Sequence, residues 1–142
     1  MPMSSRFAVA VHILTLMAWE PDEPLKSEQV AESVNTNPVV IRRILCALAD
    51  AQLVVSQSGA AGGSRLARPP SKIRLLEIYR QVEGRGAFSL HHQRPSKHCP
   101  VGANIETVLE GVLEDANSAL ERVLAKITVE DIVIRCSEGS NR

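Results

Sequence analysis

Ser58-Gly59-Ala60-Ala61-Gly62-Gly63-Ser64-Arg65 is a glycine-rich run with a basic exit. The apolar stretch Leu53-Val54-Val55 leads into it, and Arg65-Leu66-Ala67-Arg68 leads out. Two extended segments joined by a small, flexible tip read as a β-hairpin. Just ahead lie two short helical patterns, within residues 25–50, around the turn Asn35-Thr36-Asn37. Helix, turn, helix and hairpin, in that order, make a winged helix–turn–helix. Such a module sets one helix in a major groove and a basic hairpin beside the backbone or minor groove. The expected partner is DNA.

Each helix carries its own signals. Ser27 ahead of Gln29-Val30-Ala31-Glu32 reads as an N-cap, with Val30, Ala31 and Val34 on the inner face. Pro38 suits the first position of the second helix, where a missing N–H leaves nothing unpaired. Between Pro38 and Asp50, Ile41, Ile44, Leu45 and Leu48 recur at spacings of three and four. That stripe faces the core and turns Val39, Arg42, Arg43 and Cys46 or its neighbours outward. Because the N-terminal part of a recognition helix meets base edges, the candidate DNA contacts are Asn37, Val39, Val40, Arg42 and Arg43. On the wing they are Ser58, Gly62, Gly63, Arg65 and Arg68. An isolated Arg-Arg pair is ordinarily a solvated helix face; its position behind a turn and ahead of a wing favours DNA. Cys46 on the same helix reads as a small packing residue. The glycines do not make a nucleotide-binding loop, since no Gly-Lys-Ser/Thr ending follows them.

A chain of 142 residues suffices for one compact domain with an added oligomerisation element. Apolar residues make up 44% and aromatics only 3%, so the core must be aliphatic, which favours packed helices. Sixteen Lys and Arg balance sixteen Asp and Glu. Zero net charge excludes a general polyanion coat but permits a regulator with one basic face. The charges are segregated: Arg42, Arg43, Arg65, Arg68 and Lys72 precede an acidic set of Glu106, Glu110, Glu114, Asp115 and Glu121. No cationic leader opens the chain and no apolar run nears the ~20 residues of a membrane span. A cytoplasmic protein without membrane attachment is expected.

Residues 5–19 are apolar on nearly all sides, as in a buried helix, with His12 a packed or partly exposed member. Pro69-Pro70 punctuates the module, and Ser71 is expected to cap a helix reaching about Val82, closed by Gly84 and Gly86. Residues 85–102 lack periodicity and read as a loop; His91, His92, His98 and Cys99 in it fit no common zinc spacing. No metal site is assigned. Residues 103–126 hold the strongest apolar repeat, in a helix roughly 35 Å long. A second copy of the chain is the economical way to bury that stripe. Thr128-Val129-Glu130-Asp131 caps a last short helix, and the tail beyond it is expected to be disordered. The fold class is mainly α with a small β-hairpin wing.

In this order the chain resembles the Rrf-two (Rrf2) family of winged helix–turn–helix bacterial transcriptional regulators. The resemblance rests on Ser5-Arg6-Phe7-Ala8-Val9-Ala10, the helix–turn–helix from Leu25 to Ala51, and Leu53-Val54 with the Gly59–Leu66 wing. It continues through Ile73-Arg74-Leu75-Leu76-Glu77-Ile78-Tyr79, Val82-Glu83-Gly84 and Cys99-Pro100-Val101-Gly102. The family implies a homodimer joined by the long helix, two winged domains on a palindromic operator, and in many members repression. It divides the chain into a winged DNA-binding domain (1–84), a sensor or loop region (85–102), and a dimerisation helix with a C-terminal helix (103–136).

Some branches of the family hold an iron–sulfur cluster on three cysteines in the loop before the long helix. Here that loop has only Cys99, too few soft ligands for a cluster, so no cofactor is expected. Members without the three cysteines respond to thiol oxidation, partner proteins or small molecules. Cys99 follows His98 and lies near Arg94 and Lys97, and positive neighbours favour a reactive thiolate. Cys136 is the candidate resolving thiol; that both are inert is an equally weighted reading. The alternatives are a protein-interaction adaptor, or a regulator controlled by a small ligand, a metal or a partner enzyme. No nucleophile–base pair or paired-carboxylate motif points to an enzyme.

Overall fold

The computed structural model describes residues 4–84 and 86–140. Its elements in chain order are α1 (Arg6–Trp19), α2 (Ser27–Val34), α3 (Pro38–Asp50), β1 (Val54–Gln57) and β2 (Gly63–Leu66). A single 3-10 turn (Pro70–Lys72), α4 (Leu75–Val82), α5 (Pro100–Leu124) and α6 (Val129–Ser140) follow. Two compact units result: the described residues of 1–84 with those of 124–142, and those of 85–123. Among the described residues no helix is long and apolar enough to cross a membrane.

The first unit is organised around aliphatic side chains from every helix it contains. Ile13 and Leu14 of α1, Val30 of α2, Ile41 and Leu48 of α3, Ile78 of α4 and Val129 of α6 are all fully buried. Each such side chain contributes about 1.5–3 kcal/mol by leaving water. α1 is the hub, packing against α2, α3, α4 and α6. That is why its sequence is apolar on most sides. His12 nevertheless faces outward, where its Nε2 lies 2.9 Å from Ser33 Oγ.

Local chemistry sets the helix–turn–helix. Asn35 ends α2 in the left-handed conformation (φ 61°), which asparagine tolerates better than most residues. Asn37 then caps α3, its side-chain oxygen accepting the Val39 N–H at 2.8 Å, with Pro38 as the first helical residue. The hairpin is antiparallel, pairing Val54 with Leu66, Val55 with Arg65, Ser56 with Ser64 and Gln57 with Gly63. Leu25 adds a third short edge, exchanging hydrogen bonds of 2.9 and 2.8 Å with Ser64.

Gly63 is required by that edge. Its φ is 148°, and a Cβ there would lie 2.7 Å from the Leu25 carbonyl oxygen. Gly63→Ala is therefore expected to destabilise the protein by about 1–3 kcal/mol through backbone strain alone, with further loss from the clash. Thermal unfolding of the variant checks this; an unchanged midpoint would refute it.

Five boundaries depart from the sequence expectations. Ser27, expected as a cap, is the first residue of α2, and Lys26 holds the cap position, its N–H donating to Gln29 Oε1 at 2.8 Å. The helix expected from Ser71 begins at Leu75 instead. Ile73 is extended, and the Ile73 carbonyl accepts from Val129 N–H at 2.9 Å while Leu75 N–H donates to Ile127 at 2.9 Å. A segment far along the chain thus overrides the local cap. The long helix starts at Pro100, not 103, with Cys99 O accepting the Ala103 N–H at 2.8 Å. Proline in the first turn was the available signal. The last helix runs on to Ser140, where a disordered tail was expected. Thr128 and Asp131 form its reciprocal capping box, at 2.9 and 3.1 Å, and α6 docks on α1. Finally, β2 begins at Gly63, so Ala67 and Arg68 fall beyond the strand.

Candidate nucleic-acid interface

The outer face of α3 follows from its inner one. With Ile41, Ile44, Leu45 and Leu48 buried, helical periodicity stacks Val39, Arg43, Cys46 and Asp50 on the opposite side. All four are exposed. Cys46 is thus a surface residue of this row, not the packing residue expected, because the inner positions are already filled. Arg42 lies on the flank towards α2, and its Nη2 donates to Glu28 Oε1 at 2.7 Å. The Glu28 carboxyl is held below its ordinary pKa, first by its own backbone N–H and then, against an opposing burial effect, by Arg42 and the Lys26 charge. Arg43 has no ion-pair partner among the described residues. Asn37 has spent its oxygen on the helix cap, leaving its amide N–H groups to donate.

On the wing, Ser58 is exposed at the tip, and Gly62 N–H closes the tip by donating to Gly59 O at 3.0 Å. Arg65 sits opposite Val55 on β2, and its Nε is buried without a hydrogen-bond partner among the described residues. Arg68 is committed internally. It donates to Glu77 Oε1 at 2.7 Å and to the Lys72 carbonyl at 3.0 Å. It therefore ties the wing's exit to the first turn of α4.

Burial raises the Glu77 carboxyl pKa. The hydrogen bonds from Arg68 and the Arg74 N–H, with both guanidinium charges, outweigh that and leave it below the ordinary value. A depressed carboxylate pKa means stability that is present above the unfolded value and lost as pH falls through the folded one. Glu77→Gln should therefore flatten the acid limb of the melting-temperature profile. The effect stays below about 1 kcal/mol because the pair is about one-third exposed. Parallel acid limbs for both proteins would show that the pair carries no stability.

Three contributors were invisible in the sequence. Glu28 and Glu77 meet their arginines across 14 and 9 residues, so no local pattern pairs them. Lys26, just ahead of α2, shares with Gln29, Ala60, Ala61 and Gly62 an open cleft of about 410 Å³. A cation thus stands beside the wing tip that the hairpin sequence alone did not suggest.

Cys99 belongs to the second unit and is exposed at the start of α5. The N–H of Gly102, then that of Val101, pulls its thiol below the ordinary pKa. These helix-terminal N–H groups, not Arg94 or Lys97, supply the effect. Gly102 permits the arrangement, because a side chain there would collide with the Ser96 carbonyl. Cys136, in the first unit, is exposed on α6 and lines with His12 and Trp19 a groove of about 360 Å³ between α1 and α6.

The family model of Rrf2, described as an iron-dependent transcriptional regulator, matches residues 3–135. Among the described residues no three His, Cys, Asp or Glu side chains come together in a group that could hold a metal ion. The chain is 40% identical over 131 residues to YwnA of Bacillus subtilis, named as an HTH-type transcriptional regulator, covering 92% of this chain and 96% of that one. Its fold is similar to IscR of T. potens, with a TM-score of 0.74, 25% identity and coverage of 98% and 90%. It is also similar to CymR of B. subtilis, at a TM-score of 0.70, 20% identity and coverage of 95% and 98%. Exposed Arg43 on the outer row of α3, the glycine-tipped wing and a match along nearly the whole chain agree: the protein belongs to the Rrf2 family of DNA-binding transcriptional regulators, and is a regulator, not an enzyme.

Proposed function

We propose that the protein is a cytoplasmic homodimeric repressor that reads a palindromic operator through α3 and the wing. It works without an iron–sulfur cluster, and oxidation of Cys99 switches it. The observation that carries the dimer is α5, a helix with no buried residue. Val101, Val108, Val112 and Val123 are 67, 59, 55 and 57% exposed. With exposed Ala119 they recur at spacings of seven and four, an 11-residue repeat that keeps them on one face of the helix.

The switch rests on the lowered thiol of Cys99, since the thiolate is the reactive form. A hydroperoxide transfers one oxygen to the sulfur, giving the sulfenic acid and an alcohol. A second thiol then attacks that sulfur, forming a disulfide and releasing water. A reducing dithiol reverses the process.

Fluorescence anisotropy on DNA from upstream of the protein's own gene tests the proposal, first in reductant and then in a hydroperoxide. Binding should be tight, lost on oxidation and restored by reductant, and Cys99→Ser should bind regardless of oxidant. Binding indifferent to oxidant in the parent protein would retire Cys99 as the sensor.

A further inference from the structure

Val39 and Val40 stand 47% and 39% exposed in the first turn of α3. Packing does not use them, since Ile41, Ile44, Leu45 and Leu48 fill the inner face. Local propensity does not ask for them either, because β-branched side chains weaken an exposed helix surface. They sit between the capping Asn37 and the pair Arg42-Arg43, where a recognition helix meets base edges. In the major groove, the apolar group on offer is the 5-methyl of thymine.

We infer that Val39 is a thymine reader, its methyl groups meeting the 5-methyl of one thymine in each half-site, with Val40 on its flank. The inference rests on the proposed operator reading by α3. It also has a chemical consequence for the other bases. A valine offers no donor or acceptor, so adenine, guanine or cytosine edges placed against it would lose their water without gaining a partner.

Spacing adds a register. Val39 and Arg43 lie in one outward row, four residues apart, which is about 6 Å along the helix axis. Successive bases rise about 3.4 Å along a strand. The thymine therefore lies about two base steps from the base that Arg43 reads, and a guanidinium pairs best with guanine O6 and N7.

The test begins by selecting a site for the full-length protein from random duplexes of about 20 base pairs, long enough for two half-sites. Thymines of the selected duplex are then replaced singly by deoxyuridine, which removes only the methyl group. One replacement per half-site, about two steps from a guanine, should weaken binding about two- to five-fold, the value of one buried methyl. In Val39→Ala the same replacement should have no effect. That variant keeps its fold because position 39 lies outside the core, which circular dichroism verifies. Deoxyuridine without effect at every thymine overturns the inference while leaving operator reading intact. So does a methyl effect that persists in Val39→Ala. If no duplex is enriched, operator reading itself fails, and the inference with it.

Discussion

Arg43→Ala lowers affinity for the operator by about 1–3 kcal/mol, a ten- to hundred-fold loss, if the guanidinium reads a base. Arg43 projects from the centre of the outward row of α3 and has no ion-pair partner among the described residues. Its five donors are therefore available without breaking an internal contact. Arg42 differs, since reaching DNA means giving up Glu28 at 2.7 Å. Arg42→Ala should cost less, and the contrast between neighbouring arginines separates a positioned reader from general positive charge. Arg43→Lys refines the result. A lysine cannot reproduce a bidentate guanine contact but serves a phosphate nearly as well. Base reading predicts that lysine fails and that preference relaxes at one base pair. Phosphate contact predicts that lysine rescues, and that alanine reduces the salt dependence of binding by about one counterion at every sequence. Equal affinity of parent and Arg43→Ala, measured by anisotropy at fixed salt, would remove the residue from the interface.

The recognition helix was legible because its information is local. A turn at Asn35-Thr36-Asn37, a Pro start and four aliphatic residues at helical spacing specify where α3 begins and which face it buries. The wing was legible for a related reason, as only glycine-rich chain accepts the backbone that Gly63 adopts beside Leu25. Where the reading erred, a distant segment had decided the local structure. Ser71 could cap a helix, but Ile73 and Arg74 are extended, flanked by backbone bonds from Val129 N–H to Ile73 O and from Leu75 N–H to Ile127 O. The C-terminal helix is anchored to the core through Val129, Ile132 and Val133, contacts that no window around residues 129–140 contains, and it runs on to Ser140.

The candidate interface divides in the same way. That Val39, Arg42 and Arg43 point outward follows from periodicity, and the structure places them so. Which arginines are already engaged does not follow from sequence. Arg42 and Arg68 are paired with carboxylates on other elements, so a basic residue count overstates the charge free to meet a phosphate backbone. Cys99 illustrates a subtler case. Its lowered thiol was expected from basic neighbours, yet the cause is the exposed N–H groups of Val101 and Gly102. Those depend on where α5 starts, a boundary only three residues from the one expected.

Val108→Glu combined with Val112→Glu is expected to convert the protein to monomers at micromolar concentration and to weaken operator binding by about a hundred-fold or more. Both residues are more than half exposed within one chain, so neither supports the fold of its own protomer. In a paired α5 each would be buried, and a carboxylate there faces apolar side chains without a partner. Such an unpaired buried charge costs several kcal/mol, on top of about 1.5–3 kcal/mol lost for each buried valine. Symmetry presents every substitution twice across the interface, which multiplies the penalty. The loss on DNA has a separate origin. Two linked reading heads gain about 10²–10⁴ in avidity over one, and a monomer forfeits it. Light scattering after size exclusion gives the mass, and anisotropy on a full site and an isolated half-site gives the rest. The double variant should bind both duplexes equally weakly, while the parent prefers the full site. A circular dichroism spectrum retaining the helices of the winged unit distinguishes dissociation from unfolding. A double variant that remains dimeric would place the contact between copies elsewhere on the chain.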